Sequence, residues 1–314
     1  MTARKRYVSA ALLLGTTLFL SACGEAPIKH PNRLRAAEHL GSAEDLLQKN
    51  HPEQAILSVK KALARHRISG DFNATISDMN RLARLSILTG TPDRAREWVN
   101  RALLLESVGS APALKAETLL LGAEIAPPHS ASSWTAEAQK TISDIPGTQD
   151  RERQKLLSRL YQIQGERLSL QKHYHKAGEL YRKALGIDES RGDELSQATD
   201  LAGMGRNELL SGNNGDARKS FKRAREIDLS RHNPSGLAFD LEGLALLHLS
   251  GGNYRTAARE LLIASGIHEA LGHKNRARKD IESIKSFASH IGALPPEAIR
   301  SILDEWERSE TLQE

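Results

Sequence analysis

Two histidines near the C-terminal end have the spacing closest to a metal-binding motif. The segment His268-Glu269-Ala270-Leu271-Gly272-His273 looks like the zinc pattern HExxH, in which histidines four residues apart share one face of a helix. Here they are five residues apart, about 140° around a helix, and Gly272 is expected to end that helix. His173 and His175 also lack a third ligand nearby. The sequence therefore predicts no metal site and no cofactor.

Glycine-rich segments come no closer to a nucleotide site. Gly203-Met204-Gly205 begins like a dinucleotide fingerprint, but Glu208 stands in place of the third glycine and no strand is predicted before it. The segment from Gly212 to Gly215 lacks the GK[ST] of a phosphate loop, and the chain has no GxSxG. No motif indicates an enzyme, although catalytic residues that are scattered along the chain would form no motif. We expect a protein that is not an enzyme.

The single cysteine, Cys23, stands where a lipid could be attached. Arg4, Lys5 and Arg6 precede an uncharged, mostly apolar stretch at 8–20, which then leads into Leu20-Ser21-Ala22-Cys23-Gly24. That stretch is shorter than the roughly 20 residues that cross a bilayer but suits the apolar region of a signal peptide. A structural cysteine behind an ordinary signal peptide is the alternative. One cysteine also excludes an intramolecular disulfide framework.

These features, in this order, resemble a bacterial lipoprotein signal with its lipobox. The resemblance implies diacylation of the Cys23 thiol, cleavage between Ala22 and Cys23, and acylation of the new amino group. Residues 1–22 would be the signal peptide and 23–32 the lipidated cysteine and tether. In this family an aspartate after the cysteine signals inner-membrane retention. Gly24 stands there instead, which implies a lipid anchor in the outer membrane, with the body of the protein facing the periplasm.

Charge gives weak guidance about partners. The chain has 314 residues and a formal net charge of +5, which falls to +2 once the three basic side chains of residues 1–22 are removed. Nucleic acid is therefore not expected as a partner. Residues 151–183 are strongly basic and residues 297–314 strongly acidic, which would suit an acidic partner or head-to-tail self-association. Ordinary solvated helix faces are the simpler explanation of both runs.

Small residues recur through the chain at intervals of 40. Alanine occupies two positions of each repeat, seven residues apart. In three repeats isoleucine follows three residues after the second alanine. Another small residue lies twelve residues before the first alanine, and in three repeats a glycine lies five residues before it. The alanine pairs are Ala55/Ala62, Ala95/Ala102, Ala177/Ala184, Ala217/Ala224 and Ala257/Ala264; the isoleucines are Ile187, Ile227 and Ile267; the upstream small residues are Ala43, Ala83, Gly165, Gly205 and Ala245; the glycines are Gly90, Gly212 and Gly252, with Asn50 in the first repeat. A degenerate copy is expected around Ala136 to Ala138. This pattern indicates helices that approach closely at small side chains, with turns at the glycines.

The pattern resembles tetratricopeptide repeats, and the run from Tyr174 to Leu185 matches them best. An aromatic position of the motif holds Tyr181 and Phe221 but Val59, Val99 and Leu261 elsewhere. The period is about 40 rather than 34 residues, and the closing proline is missing. The resemblance implies an all-α, right-handed superhelical solenoid over residues 33–310, followed by a tail at 311–314.

Seven helical hairpins are predicted in that solenoid. Their spans are 33–67, 71–107, 111–146, 149–189, 192–230, 234–271 and 274–310. A loop at 126–130 is expected inside the third, and a turn at 146–149 before the fourth. The second helix of the last hairpin is expected to open at Pro295-Pro296 and to act as a solvent-facing cap.

Groove-facing positions of the motif imply a partner-binding set. They fall on Asn80, Arg84, Arg159, Gln162, Arg206 and Glu242. The three arginines could bind carboxylates through paired N–H donors, although solvated charge is the commoner role for any one of them.

The resemblance implies a protein-binding scaffold or adaptor, anchored to the outer membrane and facing the periplasm, whose partner is a protein or peptide in the concave groove. A pilotin-like or envelope-machine assembly factor is the alternative, and a cell-wall-acting enzyme is a more distant one.

Overall fold

The computed structural model describes residues 30–49 and 51–291, and these are almost entirely helical. The signal peptide, Cys23, most of the tether, Asn50, the second helix of the seventh hairpin and the tail lie outside the described residues. The α-helices are α1 Pro31–Gln48, α2 Pro52–Ile68, α3 Phe72–Leu88, α4 Pro92–Glu106, α5 Pro112–Ile125, α6 Pro128–Ser143, α7 Asp150–Leu170, α8 Tyr174–Arg191, α9 Glu194–Leu210, α10 Asn214–Ser230, α11 Pro234–Ser250, α12 Tyr254–Ala270 and α13 Lys274–Phe287. Short 3₁₀ turns lie at Gly147–Gln149 and Ala288–His290.

The helices pair in chain order, from α1 with α2 to α11 with α12, and each pair packs on the next. The prediction of an all-α repeat solenoid is confirmed, and the six described hairpins begin and end within a few residues of the predicted spans. The right-handed sense of the superhelix stays a prediction. None of the helices described is long and apolar enough to cross a membrane.

The third hairpin differs from the prediction in its connection. The loop expected at 126–130 is wrong, because α6 already begins at Pro128 and only two residues separate it from α5. Proline suits the first position of a helix, where its fixed φ fits and its missing N–H is not needed. The turn before α7 is confirmed as a 3₁₀ turn at Gly147–Gln149.

The repeated alanines lie where helices touch. All ten alanines of the five pairs are 0% exposed. The degenerate copy lies on α6, where Ala131 is 3% and Ala138 is 0% exposed, with the same spacing of seven. Methyl side chains at these positions let the helix backbones approach closely. Packing of neighbouring hairpins rather than one central core therefore holds the solenoid together.

Two large aromatic rings lie between pairs of glycines. A Cβ built on Gly165 would lie 3.0 Å from the ring of Tyr181, and one on Gly203 would lie 2.5 Å from it. Gly205 and Gly243 bracket Phe221 in the same way, 40 residues further along the chain, at 3.1 and 2.4 Å. Where the aromatic position holds valine or leucine, the flanking residues are larger. Those positions carry Ala43 and Arg81 around Val59, Ala83 and Leu121 around Val99, and Ala245 and Ser283 around Leu261.

The turns between helices use the left-handed backbone region. Gly90, Gly212 and Gly252 have φ of +68°, +88° and +72°, as the spacing predicts. Lys172 occupies the equivalent position before α8 with φ of +65°.

First helices of the hairpins form the inner face. From α3 on, each first helix contacts the first helix of the next hairpin, through α5, α7 and α9 to α11, whereas no two successive second helices in the described part approach as closely. This difference bends the stack toward the first helices, so their exposed residues line its concave side.

At the irregular third hairpin, Arg167 of α7 donates to the carbonyl oxygens of Ala123 at 2.6 Å and Ala126 at 2.8 Å, which caps the end of α5.

Candidate functional site

An open groove with a volume of about 330 Å³ lies on the concave side, formed chiefly by α5, α7, α9 and α11. Its small residues include Ala198, Ala202, Gly203 and Gly236, and the ring of Tyr181 also lines it. Three members of the predicted binding set lie here together: Arg159, Gln162 and Arg206.

Two of the three predicted arginines already hold a carboxylate of α5. Arg159 Nη2 lies 2.5 Å from Glu124 Oε1, and Arg84 Nη2 lies 2.6 Å from Glu117 Oε1. Burial raises the pKa of Glu124, although the attraction of Arg159 opposes that shift. Asn80 is 1% exposed and donates to Glu117 Oε2 at 3.5 Å, so it supports this ion pair from inside rather than facing the groove.

Arg206 is different from the other two arginines. It is exposed on α9 and has no hydrogen-bond or ion-pair partner within the described ranges. The Tyr181 hydroxyl nearby has a raised pKa, chiefly through burial, with Glu166 adding to the shift and Arg206 opposing it. The guanidinium of Arg206 is therefore available for a carboxylate from outside the chain.

Gln162 and Glu242 belong to a second arrangement, which we name the polar ladder. Each level of the ladder pairs a buried polar residue near the end of a second helix with one twelve residues later on the next first helix. The five pairs are His66/Asp78, Glu106/Thr118, Asp188/Asp200, Asp228/Asp240 and His268/Asp280, and all ten residues are at most 8% exposed. Asn80, Gln162 and Glu242 add a third member to their levels from the preceding first helix.

In the first two levels, hydrogen bonds between the paired residues satisfy part of this buried polarity. His66 Nδ1 lies 2.7 Å from Asp78 Oδ2. The Thr118 hydroxyl donates to Glu106 Oε1 at 2.5 Å and lies 2.9 Å from Asn80 Oδ1. The ladder therefore places buried polar residues at every described junction between hairpins except that of the third with the fourth.

Two levels hold pairs of aspartates. Asp188 is stabilised by Arg191 at 2.5 Å, and Gln162 Nε2 donates to Asp200 Oδ1 at 2.8 Å. Burial raises the pKa of Asp200, and the charge of Asp188 raises it further. One proton shared between two close carboxyl groups is the expected state of such a pair.

The second aspartate pair is more isolated from donors. Asp240 is 0% exposed, and neither of its carboxyl oxygens receives a hydrogen bond from a described residue. Burial, followed by the charge of Asp228, raises the pKa of Asp240 to about 9. Asp228 itself accepts a hydrogen bond from Asn233 Nδ2 at 2.8 Å.

The last level brings together Glu242, His268 and Asp280. His268 is 0% exposed, its Nε2 lies 2.8 Å from Glu242 Oε1, and Asp280 Oδ2 lies 3.9 Å from the same nitrogen. His273 follows Gly272, which ends α12 with φ of +76°, and its ring centroid lies 5.8 Å from that of His268. Glu242, predicted as a groove residue, is therefore committed to a buried histidine.

The ladder residues recur in the sequence with the same 40-residue period as the alanines, although the motif search did not single them out. Asp188, Asp228 and His268 directly follow the recurring isoleucines, and Asp200, Asp240 and Asp280 repeat the same 40-residue step. Acidic or histidine side chains that recur with the period of the buried alanines are candidates for interior polar positions.

Comparisons with known proteins support the fold class and go no further. No family model matches the chain, and no curated protein matches it in sequence. Among solved structures it is similar to a signal transduction ATPase with numerous domains from Pyrococcus horikoshii, which has a tetratricopeptide repeat sensor. The TM-score is 0.61 and the identity 14%, over 88% of this chain and 42% of that chain.

Two further structures are similar over most of their length. RapI in its apo form gives a TM-score of 0.55 at 13% identity, over 82% of this chain and 73% of that chain. Aspartyl phosphate phosphatase F from Bacillus subtilis gives a TM-score of 0.54 at 12% identity, over 81% of this chain and 70% of that chain. The fold is an all-α repeat solenoid. Within that class it is tetratricopeptide-like.

Proposed function

We propose that this chain is a non-enzymatic scaffold that binds a protein or peptide in its concave groove while a lipid on Cys23 anchors it to the outer membrane, facing the periplasm. The observation that carries the binding part is the unpartnered guanidinium of Arg206 in the lining of a groove of about 330 Å³. A segment of extended peptide with an acidic side chain, or a free C-terminal carboxylate, matches this combination of space and charge.

The chemistry of the groove supports binding rather than catalysis. Its lining in the described structure includes no serine, cysteine or histidine, and the Thr199 hydroxyl donates to the Leu195 carbonyl oxygen at 3.1 Å rather than to a carboxylate that could act as its base. Glu124 is held by Arg159, and Gln162 is bound to Asp200. We therefore assign Arg159 to shaping the groove and Arg206 to direct contact, whereas Arg84 is not part of the groove lining.

A photo-crosslinking amino acid at Thr199 tests the groove. Thr199 is exposed and lines the groove, whereas Arg182 on α8 is exposed outside the groove and provides the matched control. In intact cells we expect a discrete crosslinked product from position 199 and not from 182. In a chain that also carries Arg206→Glu, that product should fall at least about tenfold, because the charge reversal repels a carboxylate. Equal products from both positions, or no effect of Arg206→Glu, would contradict the binding role.

Replacing Cys23 with alanine tests the anchor separately. Two or more acyl chains hold a protein durably at a membrane, whereas no helix among the described residues could span one. We expect Cys23→Ala to move the protein from the membrane fraction to the soluble fraction after cell disruption. The parent chain should stay with outer-membrane markers on a density gradient. Unchanged membrane association of Cys23→Ala would refute the anchor and leave the groove unaffected.

A further inference from the structure

The level formed by Glu242, His268 and Asp280 differs in composition from the rest of the polar ladder. It is the described level in which all three positions carry groups that ligate metal ions, one from each of α11, α12 and α13. At the level of His66 and Asp78 the third position holds Leu40, and that histidine and aspartate satisfy each other at 2.7 Å.

Within this level, Asp280 Oδ2 is a carboxylate oxygen that lacks a hydrogen bond. Its side chain is 8% exposed, and its Oδ2 receives no hydrogen bond from a described residue although it points toward His268 Nε2 at 3.9 Å. An unsatisfied carboxylate oxygen buried in this way is unfavourable, because the group has given up its water without gaining a donor. A cation between Asp280 and His268 would supply the missing interaction.

The geometry fits a metal with nitrogen and oxygen ligands. One ligand atom from each residue lies within 4.8 Å of the other two. Around a tetrahedral ion with bonds of about 2.0–2.2 Å, ligand atoms lie roughly 3.3–3.6 Å apart. Reaching that arrangement requires the 2.8 Å contact between Glu242 and His268 to open, and the 3.9 Å gap between His268 and Asp280 to close, each by roughly half an ångström.

We propose that Glu242, His268 and Asp280 form a Zn²⁺ site that joins the sixth hairpin to α13. Imidazole nitrogen together with carboxylate oxygen favours Zn²⁺ over Ca²⁺ or Mg²⁺, which prefer oxygen ligands alone. His268 would coordinate the ion through the lone pair of Nε2. This nitrogen must therefore carry no proton, and the single proton of the neutral ring lies on Nδ1. The side chain of Glu242 is 29% exposed, so it gives the ion a route from solvent and leaves a fourth position for water.

Titration of Zn²⁺ into the full chain tests this site, with the protein freed of metal by a chelator and carrying no histidine tag. We expect one Zn²⁺ per chain, with a dissociation constant on the order of 1 µM or lower by calorimetry. Asp280→Asn and Glu242→Gln, which keep the side-chain shape, should each weaken binding by at least about tenfold. Zn²⁺ should also raise the thermal unfolding midpoint of the parent but not of Asp280→Asn.

His66→Gln provides the matched control, because His66 occupies the same ladder position without a third ligand. It should bind Zn²⁺ as the parent does. Co²⁺ absorption gives a second readout: the parent should show the intense visible bands of a low-coordinate ion, and His268→Gln should lose them. Absence of binding by the parent, or equal affinity of the parent and the Asp280→Asn and Glu242→Gln variants, would overturn the proposal. Circular dichroism confirms that each variant is helical.

Discussion

Replacing Gly243 with alanine is expected to lower the free energy of unfolding by about 2 kcal/mol. The new methyl group would lie 2.4 Å from two ring atoms of Phe221. That ring is 1% exposed and is bounded on its other side by Gly205, so it has no space to withdraw into. Overpacking of this kind outweighs the gain of roughly 1 kcal/mol that alanine brings to a helix. Urea denaturation measures the difference.

Two further variants separate this clash from a general effect of alanine. Gly266 lies in α12 with open space around the Cβ position, so Gly266→Ala should stabilise the chain by up to about 1 kcal/mol. Phe221→Leu copies the residue found at Leu261, where the flanking positions are larger. In the double variant, Phe221→Leu should recover at least about 1 kcal/mol of the cost of Gly243→Ala. Strictly additive effects would show that the ring and the glycine are not coupled.

The second large effect is the response of Asp240 to pH. Its folded pKa of about 9 lies far above the usual value of 3.8, because the group is buried beside Asp228. The folded chain therefore keeps a proton that the unfolded chain releases near pH 4. The contribution of this protonated group to the free energy of unfolding is fully present below pH 4. It decreases as the pH rises toward 9, by up to about 1.4 kcal/mol per pH unit for one proton.

Asp240→Asn should remove this dependence. The amide is neutral at every pH and can donate to the Asp228 carboxylate, so we expect the variant to exceed the parent by about 2 kcal/mol or more at pH 8. The difference should shrink steadily as the pH falls toward 4, where the unfolded parent also begins to bind this proton. Glu226→Gln, an exposed change on the same helix as Asp228, should follow the parent at all pH values. A gain from Asp240→Asn that does not vary with pH would contradict the shared-proton state.

The sequence predicted the helices and their packing because both depend on local and periodic features. Alanines such as Ala177 and Ala217 repeat at 40 residues, and a 0% exposed position tolerates little but a small side chain. Gly212 and Gly252 repeat where the backbone must enter the left-handed region. The prediction that Pro128 lies in a loop was wrong, because proline can either end a helix or begin one. Only the residues that follow the proline show whether a helix begins there.

Side-chain partners were less predictable. Arg84, Arg159 and Arg206 occupy matching surfaces in the repeat pattern, but only the first two meet a glutamate on α5. The difference depends on residues about 35 positions away, which periodicity does not address. Polarity inside the stack was overlooked for a similar reason: an aspartate such as Asp240 reads as solvent-exposed until the helix on its other side is known.

The polar ladder also limits how the hairpins can be rearranged. At each junction that carries a level, the two paired residues come from neighbouring hairpins. An imidazole on one hairpin therefore matches a carboxylate on the next, and a proton is shared only where two aspartates meet. Exchanging the fourth and first hairpins would place Asp188 opposite Asp78 and leave His66 opposite Asp200, changing the charge buried at both seams. Although the backbone is modular, the order of its modules is encoded in the interior, and shuffled versions of this chain should assemble poorly.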